Sequence, residues 1–328
     1  MRHHKPLLPV VTATLSLLTC LAAGQTGEVK LDLPPGYAAG RYVITRVQER
    51  ESTLTIGQGE DQMKGAALLV MEAVLGQPTA AGQSAKLTLR RVKMQGEGLG
   101  IFEADKEKFA FDTDDPVTPS DPMAEVCKTM VGVEITLQLD AHAGPVKLAG
   151  LEQAAAKFKP DSPHAALLKS PDLAALYVQA FERMAQLRPG QPLAKGASET
   201  RTFAQVLPMV GQLSFEQTLR FRGTERPPTG AAAVLEMHAK SITDKPDPKG
   251  PRLLPPPMEV TKTTAERSGQ AAMDVETRAI TRLKIEQTVT SEISVKLPDS
   301  LTKMQIRDRE SEEITMLRQT AASAPAGK

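Results

Sequence analysis

The stretch LKIEQTVTSEISVKL, Leu283 to Leu297, limits the possible folds more than any other part of the chain. Every second residue (Leu283, Ile285, Gln287, Val289, Ser291, Ile293, Val295, Leu297) falls on one side, and lysines, glutamates, threonines and a serine fill the other. Side chains alternate across a β-strand, so a period of two predicts one buried face and one wet face. At about 3.4 Å per residue the strand would run roughly 50 Å, longer than is usual, and must twist or bend. Gln287 and Ser291 interrupt the apolar side near its middle. That middle is covered either by protein side chains or by a ligand.

Most of the remaining sequence reads the same way, as strands separated by turn chemistry. Arg41 to Ile56, Ala66 to Leu75, Ala85 to Met94 and Lys106 to Asp112 form a first group, broken at Gly57 to Gly65, Gly76 to Gly82 and Gly96 to Gly100. In the third of these the apolar set changes parity across Arg90 and Arg91, which predicts a β-bulge. The period then lengthens. Ser120 or Asp121 caps a short helix near 121–131 that places Met123, Val126, Cys127 and Met130 on one face, so Cys127 reads as a buried, inert thiol. A strand, a turn at Asp140 to Gly144, a second short strand and a helical stretch from Leu151 to Phe158 follow. After the loop KPDSP comes the strongest helix, capped by Ser170, opened by Pro171 and carrying Leu173, Leu176, Tyr177, Ala180, Phe181, Met184 and Leu187 at helical spacing. Its apolar face is expected to pack on the sheet.

From Ala197 the strands resume, through QLSFEQTLRFRG, AAVLEMHAKSI, Met258 to Arg267, Gln270 to Val275, Ile280 to Leu297 and Leu301 to Leu317. The Pro-rich run KPDPKGPRLLPPP between them reads as a rigid connector. The expected fold is α+β and mainly β: a large curved antiparallel sheet, half-barrel-like or built as two related β-halves, with a helical segment in the middle. The expected divisions are a first β-rich half at 25–150, the helical segment at 151–190, a second β-rich half at 191–320 and a disordered tail at 321–328.

The N-terminus, MRHHKPLLPVVTATLSLLTCLAAGQTG, has a short basic start, an uncharged apolar run and then small residues, the pattern of a secretory signal. Cleavage after Gly24 is the preferred reading. The alternative is lipid attachment to Cys20, although Thr19 is a poor residue to precede a lipidated Cys. No later segment is long and apolar enough to span a bilayer. Export to the periplasm or the exterior is therefore expected, with a lipid anchor only if Cys20 is retained. Removal of Cys20 leaves Cys127 alone, so no disulfide can form within one chain and the core must hold the fold. The whole chain carries 40 Lys and Arg against 39 Asp and Glu, without blocks of like charge, which gives nucleic acid no handle. Three Tyr and no Trp leave no flat aromatic platform for sugars.

Several segments in order resemble a family of bacterial exported proteins, the domain of unknown function 6263 family. They are Gly40-Arg-Tyr-Val-Ile, Phe111-Asp-Thr-Asp-Asp-Pro116, Val131-Gly-Val-Glu-Ile-Thr-Leu, Val146-Lys-Leu-Ala-Gly-Leu-Glu, Pro192-Leu-Ala-Lys-Gly196 and Ala272-Met-Asp-Val-Glu-Thr-Arg-Ala-Ile. Glu199 and Ala272 stand where that family's pattern has an aromatic. The resemblance implies export and a β-rich fold, and it brings no activity, cofactor or catalytic residue.

Candidate chemistry is thin. Asp112, Asp114 and Asp115, with Asp121 nearby, are the one group that suggests a cation, calcium, but the run lacks the turn Gly and closing Glu of an EF-hand loop. His142, His164 and His238 are scattered without zinc spacing, and His238 reads as a half-exposed sheet residue. Ser300-Leu-Thr-Lys303 matches Ser-x-x-Lys but sits beside a turn between strands rather than at a helix start. No Gly-rich phosphate loop is present. These readings predict a non-enzymatic envelope protein without cofactor, structural or interacting with other envelope proteins, with a carrier of lipid or another apolar ligand as the alternative.

Overall fold

The computed structural model describes residues 30–31, 36–97, 108–116, 122–159, 161–207, 210–225, 231–247, 258–297 and 300–319. In chain order its elements are β1 (Lys30–Leu31), β2 (Gly40–Ile56), β3 (Gly59–Leu75), β4 (Gln83–Glu97), β5 (Lys108–Asp112), α1 (Pro122–Met130), β6 (Glu134–Leu139), β7 (Pro145–Ala149), α2 (Leu151–Ala155), α3 (Pro163–Leu168) and α4 (Pro171–Ala185). They continue with β8 (Leu193–Ala194), β9 (Ser198–Leu207), β10 (Gly211–Glu225), β11 (Ala232–Ser241), β12 (Met258–Asp274), β13 (Ile280–Leu297) and β14 (Ser300–Arg318).

Twelve strands form one antiparallel sheet in the order β7-β6-β4-β3-β2-β14-β13-β12-β11-β10-β9, with β5 beside β4. Strands before and after the helices thus belong to a single sheet, joined where β14 pairs with β2 along its length. The sheet does not close on itself, since β7 and β9 end the order. A separate ladder joins β1 to β8.

Alternation sets the inner face, defined by Tyr42, Ile44, Met71, Leu87, Leu283 and Met316, which share one hydrophobic cluster with the helices. Helix α4 places Leu173, Tyr177, Ala180, Phe181 and Met184 in that cluster, and Leu187 just beyond its end joins them, all fully buried. Ser170 caps it by accepting from the Leu173 amide at 3.3 Å, as its sequence predicts. Val126, Cys127 and Met130 of α1 are buried in the same cluster, and Cys127 forms no disulfide. Ser120, Asp121, Cys20 and most of the Pro-rich connector lie outside the described residues. None of the described helices is long and apolar enough to cross a membrane.

The predicted bulge is present: Val70 pairs with Arg91 and Met71 with Leu89, leaving Arg90 as the extra residue. Three local expectations need correction. Gly57 to Gly65 is no break, because a two-residue turn at Gly57 and Gln58 suffices and β3 begins at Gly59; Gly57 takes the positive φ of 61° that such a turn requires. The strands read as Met258 to Arg267 and Gln270 to Val275 are one strand, β12. Gly269 continues it because a Cβ there would meet the Lys284 carbonyl oxygen at 2.8 Å. The stretch after Ser162 is the helix α3, whose Ser-Pro start repeats that of α4, and Ser162 accepts from the Ala165 amide.

All three tyrosines lie in this core. Tyr37 packs edge-on to Phe181 and under the Arg188 guanidinium, 5.1 Å from the ring centroid. Burial raises the Tyr37 pKa to about 12 and pushes Tyr177 and Tyr42 upward as well. A phenol whose folded pKa exceeds its unfolded value stabilises the fold fully below about pH 10, and that contribution is lost as pH rises toward the folded pKa. For Tyr37 alone the loss is up to about 1.4 kcal/mol per pH unit from about 10 to 12. Without Trp to interfere, no more than one of the three tyrosines should ionise at pH 10–11 while the far-ultraviolet signal is native, and the other two should ionise together with unfolding. Two tyrosines that ionise near pH 10 with the fold intact contradict this packing.

Candidate functional site: a buried polar row and an outer groove

The polar interruption at Gln287 belongs to a row that crosses the inner face. Arg50, Glu310, Gln287, Arg267, Ala239, Gln217 and Arg201 are successive register partners on β2, β14, β13, β12, β11, β10 and β9. On one side lie Ile285, Met237 and Leu219 of the main core. On the other lie Val289, Ala265 and Phe215 of a smaller cluster. Gln287 and Ser291 are both buried, and protein groups bury them: Arg267 donates to the Gln287 Oε1, and Ser291 shares a 3.1 Å hydrogen bond with Thr263.

Arg267 is the centre of the row. It is 1 % exposed, and its guanidinium donates to the side-chain oxygens of Gln287, Gln186 and Gln205. Burial pulls its pKa down to about 9, with Arg183 adding to the shift and Glu310 and Glu312 opposing it. Gln186 directly follows α4, where carbonyls have no intrahelical donor. Its carbonyl oxygen accepts from Arg201 Nη2 and from Gln217 Nε2, and the Arg188 carbonyl accepts from Arg201 Nη1 at 2.9 Å. Cations at this end also complement the helix dipole. Earlier along α4, Arg183 Nε lies 3.1 Å from Glu312 Oε2, while Arg46 Nε donates to the other oxygen of the same carboxylate. The row therefore fastens the end of α4 to the sheet. A charge at an inward position of a period-two pattern, Arg46 and Arg267 here, was the available sequence signal; its partners, distant in sequence, were not.

The outer face carries a groove of about 820 Å³ that crosses β13, β14, β2, β3, β4 and β5. Arg309, Glu51, Lys64, Glu97 and Lys108 are consecutive register partners along it, so charge alternates from strand to strand. Lys64 and Glu51 are 3.5 Å apart, as are Lys108 and Glu97. These pairs are solvated and worth less than about 1 kcal/mol each, so a partner can exchange them at little cost. The adjacent row supplies small side chains, Ala66, Ala110 and Ser311. A second outer hollow of about 590 Å³ shares Glu286 and includes His238, which is exposed. Between α4 and β2 to β4 lies a crevice of about 130 Å³, lined by Leu176, Leu69, Met94 and Arg46 among others.

The candidate residues from the sequence fall elsewhere. Arg91 bridges the Asp112 carboxylate through Nε at 3.0 Å and Nη2 at 2.6 Å and also contacts Asp114, and this guanidinium holds the Asp112 pKa below its usual range. Asp115 takes part in the following turn, its amide donating to the Asp112 carbonyl. Among the described residues no three His, Cys, Asp or Glu side chains gather as a metal site would need. His164 lies 2.6 Å from Glu125 and stacks on Phe158, His142 sits in the Asp140 turn, and Ser300 and Lys303 lie on β14 rather than on a helix.

No family model and no curated protein matches the chain. Solved structures that align with it include Neisserial surface protein A, at 5 % identity and a TM-score of 0.15 over 83 % of this chain and 96 % of that one. The COG4313 outer membrane channel from Pseudomonas putida F1 aligns at 6 % identity and a TM-score of 0.18, over 87 % and 98 % of the two chains. Acinetobacter baumannii OccAB3 gives 5 % identity and a TM-score of 0.21, over 85 % and 99 %. Scores this low carry no argument about fold or function, and the chain is characterised by its own geometry: a β-rich protein with an open antiparallel sheet, a filled inner face and a grooved outer one.

Proposed function

We propose that this is an exported, non-enzymatic protein of the bacterial envelope that serves as an interaction scaffold, docking an extended polar segment of another envelope protein on its outer groove. The observation that carries the reading is the contrast between the two faces. Helix α4 covers part of the inner face with five fully buried side chains, and the polar row fixes its end, whereas the outer groove is open and lined by exchangeable ion pairs. The signal-like N-terminus and the resemblance to the domain of unknown function 6263 family support export. A carrier of apolar ligands needs a pocket of roughly 300 Å³ or more, and the crevice of about 130 Å³ beside α4 is smaller than that, which favours the scaffold over a carrier whose ligand sits there.

Photo-crosslinking in the native envelope tests this reading. A crosslinker at Ser311 in the groove should give one discrete adduct, and a crosslinker at Val146 on β7 should give none. Arg309→Glu with Lys64→Glu, which breaks the alternation, should lower the Ser311 yield about tenfold, while the solvated like-charge pairs it creates lower stability by no more than about 1 kcal/mol each and leave the protein folded. A lipid that co-purifies reproducibly at stoichiometric level in native mass spectrometry, or a Ser311 adduct indifferent to the charge reversals, overturns the scaffold reading.

A further inference from the structure

The two ends of the sheet are not alike. β7 is short, begins with Pro145 and pairs with β6 through a broken register between Gln138 and Leu139, features that discourage a further strand. β9 is the opposite case. It runs Ser198–Leu207 in unbroken register with β10, contains no Pro and no Lys, and no hydrogen bond among the described residues reaches the backbone along its free edge. Its two charged side chains point to the inner face and are engaged there. Glu199 Oε2 accepts from the Gly190 amide at 2.9 Å, and Arg201 donates to the Gln186 and Arg188 carbonyls. Ser198, Thr200, Thr202, Ala204 and Val206 are exposed, with Val206 49 % exposed, and none of them carries a charge.

We infer that this edge pairs with the same edge of a second copy, β9 antiparallel to β9 about a two-fold axis through Thr202, which extends the sheet across two chains. The strand is complementary to itself in that register. Thr202 meets Thr202, Thr200 meets Ala204 and Ser198 meets Val206 on the outer face. On the inner face Arg201 meets the Phe203 ring and Glu199 meets the Gln205 amide. No like charges face each other, the central Thr202 pair is of a kind that favours antiparallel strands, and the Arg201 pair brings a cation to a ring. The other register with comparable overlap, about Phe203, sets Glu199 against Leu207 and is disfavoured for that reason. The pairing covers Ser198 to Val206, about 30 Å at about 3.4 Å per residue, a small interface of weak, concentration-dependent affinity, on the order of micromolar.

Sedimentation of the mature chain over a range of concentrations reads the dimer directly. Thr202→Lys changes an exposed side chain, leaves the monomer fold in place and sets two ammonium groups opposite each other, so dimerisation should weaken about tenfold or more. Mixing Thr202→Lys with Thr202→Glu protein should restore a heterodimer. Under mild oxidation Thr202→Cys should crosslink to itself, whereas Thr218→Cys, on the neighbouring interior strand β10, should not. A chain that stays monomeric at high concentration, a dimer indifferent to Thr202→Lys, or equal crosslinking at both cysteines overturns the inference. An edge that captures only a foreign strand would show itself as the first of these.

Discussion

Replacing Glu312 by Leu should destabilise the protein by about 3–5 kcal/mol, read as a lowered midpoint of urea unfolding. The carboxylate is 3 % exposed and sits between two guanidinium groups, Arg46 and Arg183, from opposite sides of the sheet–helix interface. Its removal leaves Arg46 buried without an anion and Arg183 with only Glu310, 3.8 Å away, and taking a charge out of water without a partner is the expensive case. The solvated pair of Arg282 and Glu313, 2.8 Å apart on the outer face, provides the comparison: Glu313→Ala should cost less than about 1 kcal/mol. The triple change Arg46→Met, Arg183→Met and Glu312→Leu, which removes the whole charged group and keeps its volume, should recover most of the loss. If Glu312→Leu alone is as mild as Glu313→Ala, the carboxylate is not buried between these arginines as described.

Arg267→Met should be the second large effect, about 2–4 kcal/mol. Two contributions oppose each other. The variant relieves the desolvation of a buried cation that has no carboxylate in direct contact, the cause of its lowered pKa. It also strips a donor from the buried side-chain carbonyl of Gln287, where an unpartnered acceptor costs about 1–3 kcal/mol, and from the half-buried carbonyls of Gln186 and Gln205 at a smaller cost each. Together these losses outweigh the one relief. The distinguishing readout is local: amide hydrogen exchange should quicken over the last turn of α4 and through Arg188 more than in β3 or β4. Uniform acceleration across the sheet would mean that Arg267 serves the fold as a whole and not the seat of the helix.

Much of the architecture was legible because it is local. Period-two alternation located the long strands, a parity change at Arg90 located a bulge, and Ser170 with Pro171 located the start of α4. What was not legible depends on residues far apart in the chain. Nothing in Arg41 to Ile56 says that its neighbour is Ser300–Arg318, and nothing in Gln287 says that Arg267 and the end of α4 will meet it. A period-two pattern tells a strand which face to bury, but it leaves open which strand lies beside it. For Gly269 the composition was misleading. A glycine between polar residues looks like a break, and the close approach of the Lys284 carbonyl that requires it is a property of the assembled sheet.

The pairing of β2 with β14 carries a consequence for how the chain comes to be folded. The second and the last strands in sequence are neighbours at the middle of the sheet, so the two halves share no seam until the final strand has arrived. Contacts of this separation are late and slow to form, because the loop that closes them spans nearly the whole chain. A chain emerging from its N-terminus can assemble β2 to β7 and then β9 to β13 as two incomplete sheets, each with a bare edge awaiting the same partner. β14 supplies both edges at once. The commitment to the folded state is thereby deferred until β14 has been made.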